Sequence, residues 1–181
     1  MVARLLEKYK NDIVPAMKQK FSYGSVMAVP RLQKVVISMG LGSAQQDQAK
    51  FEAATKQLAA IAGQRPVTTL ARKAISNFKL RIGMKVGLKV TLRGQRMYEF
   101  VDRLITLAIP RVKDFRGLSP SGFDGRGSYN MGLVEQTVFS EVDPASVTFT
   151  QGMNIAMQTN ASTDEEAREL LTLMGMPFRK D

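Results

Sequence analysis

From Lys85 to Arg93 the side chains alternate, with Val86, Leu88, Val90 and Leu92 on one side and Lys85, Lys89, Thr91 and Arg93 on the other. Period two is the strand period; on a helix these apolar residues would be scattered over every face. The stretch therefore predicts a half-buried strand whose outer side is coated with basic and hydroxyl groups. A fold that holds it needs a sheet with one face open to something that tolerates concentrated positive charge.

The charge around this strand is just as one-sided. No acidic residue lies between Glu52 and Glu99, yet that stretch contains Lys56, Arg65, Arg72, Lys73, Lys79, Arg81, Lys85, Lys89, Arg93 and Arg96. Ordinary surfaces intersperse both signs because like charges repel, so an uncompensated run favours a surface built for a polyanion over a merely solvated one. The chain has 26 Lys plus Arg against 16 Asp plus Glu, for a net charge of +10. Residues 1–100 hold 18 basic and 5 acidic side chains, and the remainder 8 and 11, so the two parts are expected to face different partners.

Composition also excludes chemistry. Histidine and cysteine are both absent, which removes the usual near-neutral general base, thiolate nucleophiles, disulfides and the commonest zinc ligands. No cofactor and no metal site are expected, and an enzyme becomes the less favoured class. No apolar run approaches the ~20 residues of a membrane span, and Met1 to Lys20 mixes charges with apolar residues. The expectation is a soluble, cytoplasmic protein with no membrane partner and no small-molecule substrate.

Along the chain, Leu6, Tyr9, Ile13, Met17 and Phe21 predict an amphipathic helix bent at Pro15. From Leu32 the period becomes two: Val35, Ile37 and Met39 face inward, Lys34 and Ser38 outward. Phe51, Ala54, Leu58 and Ile61 trace a helix stopped by Gly63. Pro66–Leu70 is a short β-branched stretch. Met97, Val101, Leu104 and Ala108 form the next helical stripe, ended by Ile109-Pro110. A long Gly-rich loop covers 114–130, strands are expected over Leu133–Phe139 and Asn154–Thr159, and overlapping capping boxes at Ser162–Glu166 open a last helix closed by Gly175 and Pro177. The fold class is α+β: a mainly antiparallel sheet with helices packed on one face, in a single domain over residues 1–181 with long functional loops.

Three features could be mistaken for chemistry. Gly40-Leu41-Gly42 resembles a phosphate-binding turn, but Gln45 stands where a third glycine is needed and no acidic residue follows at the ribose-binding distance, so a tight strand-to-helix turn is the better reading. The acidic cluster Asp164, Glu165, Glu166 and Glu169 sits where negative charge complements a helix start. Most of the eleven methionines fall on inward stripes as core filler. Residues 72–84 differ, because Arg72, Lys73, Lys79 and Arg81 surround Ser76, Asn77 and Phe78 in a stretch longer than a typical hairpin loop. Such a set can neutralise phosphates, bond sugar or base edges and stack on a base; alternatively Ile75, Phe78, Leu80 and Ile82 anchor the loop in the core. Both readings of Phe78 stay open.

Several long stretches carry a resemblance: LAAIAGQRPVTTLARKA (58–74), IGMKVGLKVTLRG (82–94), DFRGLSPSGFDGRGSYNMGLVEQ (114–136), VFSEVD (138–143) and STDEEARELLTLMGMPF (162–178). Together, and in order over nearly the whole chain, they resemble the bacterial large-subunit ribosomal protein L-five family. The resemblance implies a sheet-and-helix protein that binds 5S rRNA and joins it to 23S rRNA in the central protuberance. It further implies contact with the peptidyl-site tRNA, with the small-subunit head protein S-thirteen and with other central protuberance ribosomal proteins. The family's 5S contacts fall here on Ser38, Gln64, Thr91 and Arg93, and the strand alternation adds Lys34 and Lys89. Ser38 departs from the family's usual Asn-Met-Gly, and a hydroxyl reaches less far than an amide. The tRNA-contacting loop corresponds to Arg72, Lys73, Ser76, Asn77, Phe78, Lys79 and Arg81. The small-subunit bridge falls near Arg111–Gly117, with Arg111 and Lys113, and Glu141–Val147, with Glu141 and Asp143. The alternatives are a non-ribosomal RNA-binding regulator of similar fold, or a nucleotide-binding enzyme using the Gly40–Gly42 turn.

Overall fold

A computed structural model describes residues 3–42, 47–147 and 149–179; Gln45 lies outside the described residues. In chain order the elements are α1 (Arg4–Lys8), a π-helical turn Tyr9–Ile13, α2 (Val14–Phe21), β1 (Leu32–Gly40), α3 (Gln48–Ala62), β2 (Val67–Leu70), β3 (Lys85–Leu92), α4 (Gly94–Arg103), a second π-helical turn Leu104–Ala108, β4 (Tyr129–Leu133), β5 (Met153–Thr159) and α5 (Asp164–Met174). The strands form one five-stranded antiparallel sheet in the order β2-β3-β1-β5-β4, an α+β architecture. The alternation along β1 and β3 is realised: Val35, Ile37, Met39, Leu88, Val90 and Leu92 are buried. β2 pairs with β3 in the register Val67↔Lys89, Thr68↔Leu88 and Thr69↔Gly87, and slips before Leu70↔Lys85.

The chain divides into two compact units. The first comprises residues up to Val35, Leu92–Met131 and Ala156 onward. Its N-terminal helix accommodates Pro15 by widening into a π turn over Tyr9–Ile13 before resuming α-helix at Val14. A proline has no N–H for the preceding turn and crowds the carbonyl four residues back, and a wider turn just before it relieves both. Pro110 also comes just after a π turn, in the 3₁₀ turn Ile109–Arg111. Tyr9 is buried, donates to the Pro30 carbonyl (2.9 Å) and packs near Tyr98, with ring centroids 6.3 Å apart.

The C-terminal helix starts as its sequence predicts. Thr163 accepts from the Glu166 amide while the Glu166 carboxylate accepts from the Thr163 amide. Glu166 also accepts from the Tyr23 hydroxyl (2.6 Å), Glu169 pairs with Lys20 (2.7 Å), and Asp164 accepts from the Gly125 and Gly127 amides (3.0 and 2.8 Å). The acidic cluster is therefore absorbed by capping and by fastening the Gly-rich loop. That loop is anchored by an aromatic group in which Tyr129 lies 4.8 Å from Phe123 and 5.2 Å from Phe178, centroid to centroid. Leu118 and the C-terminal segment exchange backbone bonds at Pro177 and Arg179.

The second unit comprises Val36–Thr91 and Gly132–Ile155. Asp47 caps α3 by accepting from the Lys50 amide, and Gly63 closes it at φ +64°. The expected strand over Leu133–Phe139 is not formed. The strand lies earlier, at Tyr129–Leu133, and is followed by exposed Val134 and a 3₁₀ turn at Gln136–Val138. The reason is Gln136, which is completely buried and bonds through its side chain to the backbone at Phe149 and Gln151, taking the chain out of the ladder. The Gly40 turn is a continuation of β1: the Leu41 amide donates to the Val86 carbonyl (2.9 Å), and the Gly40 carbonyl accepts from the Gln151 side chain (3.0 Å).

Candidate nucleic-acid interface

The outer sides of β1 and β3 hold the strand residues singled out by the sequence. In the second unit, Lys89 is exposed and Ser38 and Thr91 are half-exposed. Cross-strand partners share a face, so exposed Val67 stands beside Lys89. Gln64, just past the end of α3, donates to the Thr91 carbonyl at 3.4 Å, which joins the helix end to the strand. Close spacing of the strands comes from Gly87: a Cβ there would lie 2.5 Å from the Met39 carbonyl oxygen and 3.2 Å from Thr69 Oγ1. Lys85 points outward too but is engaged within the protein, donating to Gln48 Oε1 (3.2 Å) with its ammonium 5.2 Å from the Phe51 ring centroid.

Lys34 and Arg93 belong to the first unit. Lys34 is half-exposed, one residue before buried Val35 on β1, and Arg93 directly follows the last residue of β3 as the N-cap of α4. Arg93 is exposed and extended, and the next residue, Gly94, turns the chain at φ +57° into α4.

Residues 71–84 form a hairpin-like projection. Ala71 and Met84 are joined at its base (2.8 Å), Ile75 and Leu80 exchange two backbone bonds, and Ser76–Phe78 makes a 3₁₀ turn closed by Lys79 at φ +52°. Arg72, Lys73, Ser76, Asn77, Lys79 and Arg81 are all exposed. So are three of its apolar residues: Phe78 is 70% exposed, Ile82 72% and Ile75 43%, while Leu80 is half-buried. The core-anchor reading of Phe78 is thereby excluded. An exposed aromatic among cations, with amide and hydroxyl groups beside it, can stack on a base while the cations meet phosphates.

The two candidate bridge segments fall in different units. Arg111 and Lys113 are exposed in the first. In the second, Asp143 is exposed and accepts from the Ala145 amide (3.0 Å), and Glu141 is half-exposed beside the Ser140 hydroxyl. Sequence reasoning missed Gln136, because a glutamine between Glu135 and Thr137 reads as a surface residue. Among the described residues no group of three or more His, Cys, Asp or Glu side chains is arranged to hold a metal ion, and no helix is long and apolar enough to cross a membrane.

Residues 25–81 match the family described as ribosomal protein L5, and residues 85–178 match that described as the ribosomal L5P family C-terminus. The chain belongs to the ribosomal protein L5 family. It is 55% identical over 179 residues to the large ribosomal subunit protein uL5 of Alkaliphilus metalliredigens, covering 99% of this chain and 100% of the relative. It is 55% identical to the uL5 of Syntrophomonas wolfei, over 98% of this chain and 100% of that relative, and 56% identical to the uL5 of Desulforamulus reducens, over 99% of each. The L5 family consists of structural ribosomal proteins, and this member is not an enzyme.

Proposed function

We propose that this L5-family chain is a structural constituent of the large ribosomal subunit in the cytoplasm, acting over residues 1–181 as one RNA-binding module. In this reading Lys34, Ser38, Gln64, Lys89, Thr91 and Arg93 bind 5S rRNA. The protein also meets 23S rRNA and neighbouring proteins in the central protuberance. The projection from Arg72 to Arg81 touches peptidyl-site tRNA, and the Arg111–Gly117 and Glu141–Val147 segments meet the small-subunit head protein S-thirteen. The observation that carries the reading is the outer side of β3, where Lys89 and Thr91 stand at alternate positions with Arg93 just past its end, within a stretch that has no acidic residue from 53 to 98.

The chemistry follows from that arrangement. Cations neutralise phosphates and release counterions, while hydroxyl and amide groups bond riboses and base edges. A segment with Glu141 and Asp143 suits a basic protein, since opposite charge steers and orients the encounter. The test uses filter binding of 5S rRNA to the full chain. Arg93→Ala weakens binding by about 1–3 kcal/mol if Arg93 reads a base edge, and by less if it touches phosphate alone. Lys79→Glu leaves 5S affinity unchanged and lowers the retention of peptidyl-site tRNA on reconstituted ribosomes. Loss of 5S binding in the Lys79 variant would overturn the division of labour.

A further inference from the structure

Gln136 is fully buried, and both ends of its amide are spent on backbone. Its Nε2 donates to the Phe149 carbonyl (2.7 Å), and its Oε1 accepts from the Gln151 amide (2.6 Å). Gln151 in turn donates through its own side chain to the Gly40 and Gly152 carbonyls (3.0 and 3.1 Å). The chain leaving Gln136 is held further by Phe139 N–H to the Gln136 carbonyl and Val142 N–H to the Phe139 carbonyl (3.2 Å each), with Phe139 and Val142 buried. Glu141 and Asp143 stand on either side of Val142. β4 ends at Leu133 and β5 begins at Met153, and among the described residues between them no strand pairing fixes the segment. One side chain bonds the backbone at the far end of that segment, and leaving those groups buried and unpaired is costly.

We propose that Gln136 is a positioning residue for the acidic segment Glu141–Val147: its buried amide sets where Glu141 and Asp143 stand and presents them already ordered to a basic protein partner. The inference rests on the proposed docking role of that segment. Pre-ordering favours association because less conformational freedom is lost when the partner arrives.

Two variants of the full chain test it. Gln136→Met keeps the side-chain length and removes both bonds. Gln136→Glu keeps the acceptor for Gln151 but, when ionised, sets a carboxylate oxygen against the Phe149 carbonyl; protonated, it regains a donor, and burial raises the pKa of such a carboxyl. In Gln136→Met, hydrogen-exchange protection from Phe139 to Val147 and at Gln151 falls about tenfold or more, while protection in β1 and β3 and 5S rRNA affinity stay within twofold. Large subunits reconstituted with this variant associate with small subunits at least fivefold more weakly. In Gln136→Glu the protection returns as the pH is lowered, a response that lost packing alone does not produce. Unchanged protection in Gln136→Met overturns the inference, as does unchanged subunit association when the segment has loosened. Reversing Glu141 and Asp143 to lysine with Gln136 intact separates the two ideas: if association is unaffected, the docking role fails, while the protection factors still decide what Gln136 holds.

Discussion

Replacing Gly87 by alanine tests the tight sheet geometry on which the candidate RNA face depends. The added Cβ would sit 2.5 Å from the Met39 carbonyl oxygen, against a C···O approach of roughly 3.3 Å for a tolerable contact. The strands must separate there by roughly 0.8 Å, enough to stretch a ~2.9 Å ladder bond past the useful range. Overpacking of this kind costs about 1–3 kcal/mol, and one weakened backbone bond adds about 1 kcal/mol. Reduced freedom of the unfolded chain returns about 0.4–1 kcal/mol. The net loss is about 1–3.5 kcal/mol, and for a chain of this length each kcal/mol lowers Tm by roughly 2–4 °C. Calorimetry of Gly87→Ala should therefore show a melting point lower by about 2–14 °C, centred near 6 °C. Gly132→Ala is the control, since its Cβ would meet only Asn154 Oδ1 at an ordinary 3.5 Å; it should melt within about 2 °C of the parent. A Gly87 variant as stable as the parent, or a Gly132 variant equally damaged, would refute the reasoning.

Thr163→Ala removes the side chain that caps α5 and should cost about 1 kcal/mol in chemical denaturation. The acid limb of stability has a definite sign. Glu166 is held below the usual carboxylate range: burial pushes it up, but hydrogen bonds from Tyr23, Ser162 and Thr163 outweigh it. Asp124 is lowered chiefly by bonds from the Ser128 and Arg126 amides. Groups depressed on folding stabilise the protein above their unfolded pKa values, and that contribution is lost as pH falls through the folded ones. Melting points should fall below about pH 4, and Tyr23→Phe should make the Glu166 share of that fall smaller. Phe78→Ala should leave Tm within about 1 °C, because the ring is 70% exposed, and should weaken a stacked contact with tRNA by about 1–3 kcal/mol.

Much of this fold is legible wherever one periodicity acts alone. β3 reads directly because its apolar side faces the core and its charged side does not, and α3 and α5 read from a stripe plus Asp47, Gly63, Thr163 and Gly175 at their ends. The π turns at Tyr9–Ile13 and Leu104–Ala108 do not, because one extra residue in a turn hardly disturbs an apolar stripe. β4 is hard to read because Asn130 and Gly132 conceal its alternation, while Leu133–Phe139 looks strand-like and is pulled into a loop by Gln136. The cations of the candidate site were legible as an acid-free run. What sequence could not give was their availability: Lys85 is taken up by Gln48 and Phe51, and Phe78 faces solvent.

The central claim is that the outer side of β1 and β3 holds RNA by its charge. The most direct measurement is the salt dependence of 5S rRNA binding by the parent and by the triple variant Lys34→Ala, Lys89→Ala, Arg93→Ala. Each phosphate neutralised contributes about −0.7 to −0.9 to the slope of log K against log salt. The triple variant should therefore lose about 2–3 from the parent slope, together with most of its affinity, while keeping the parent melting point. An unchanged slope in a folded variant would contradict the account.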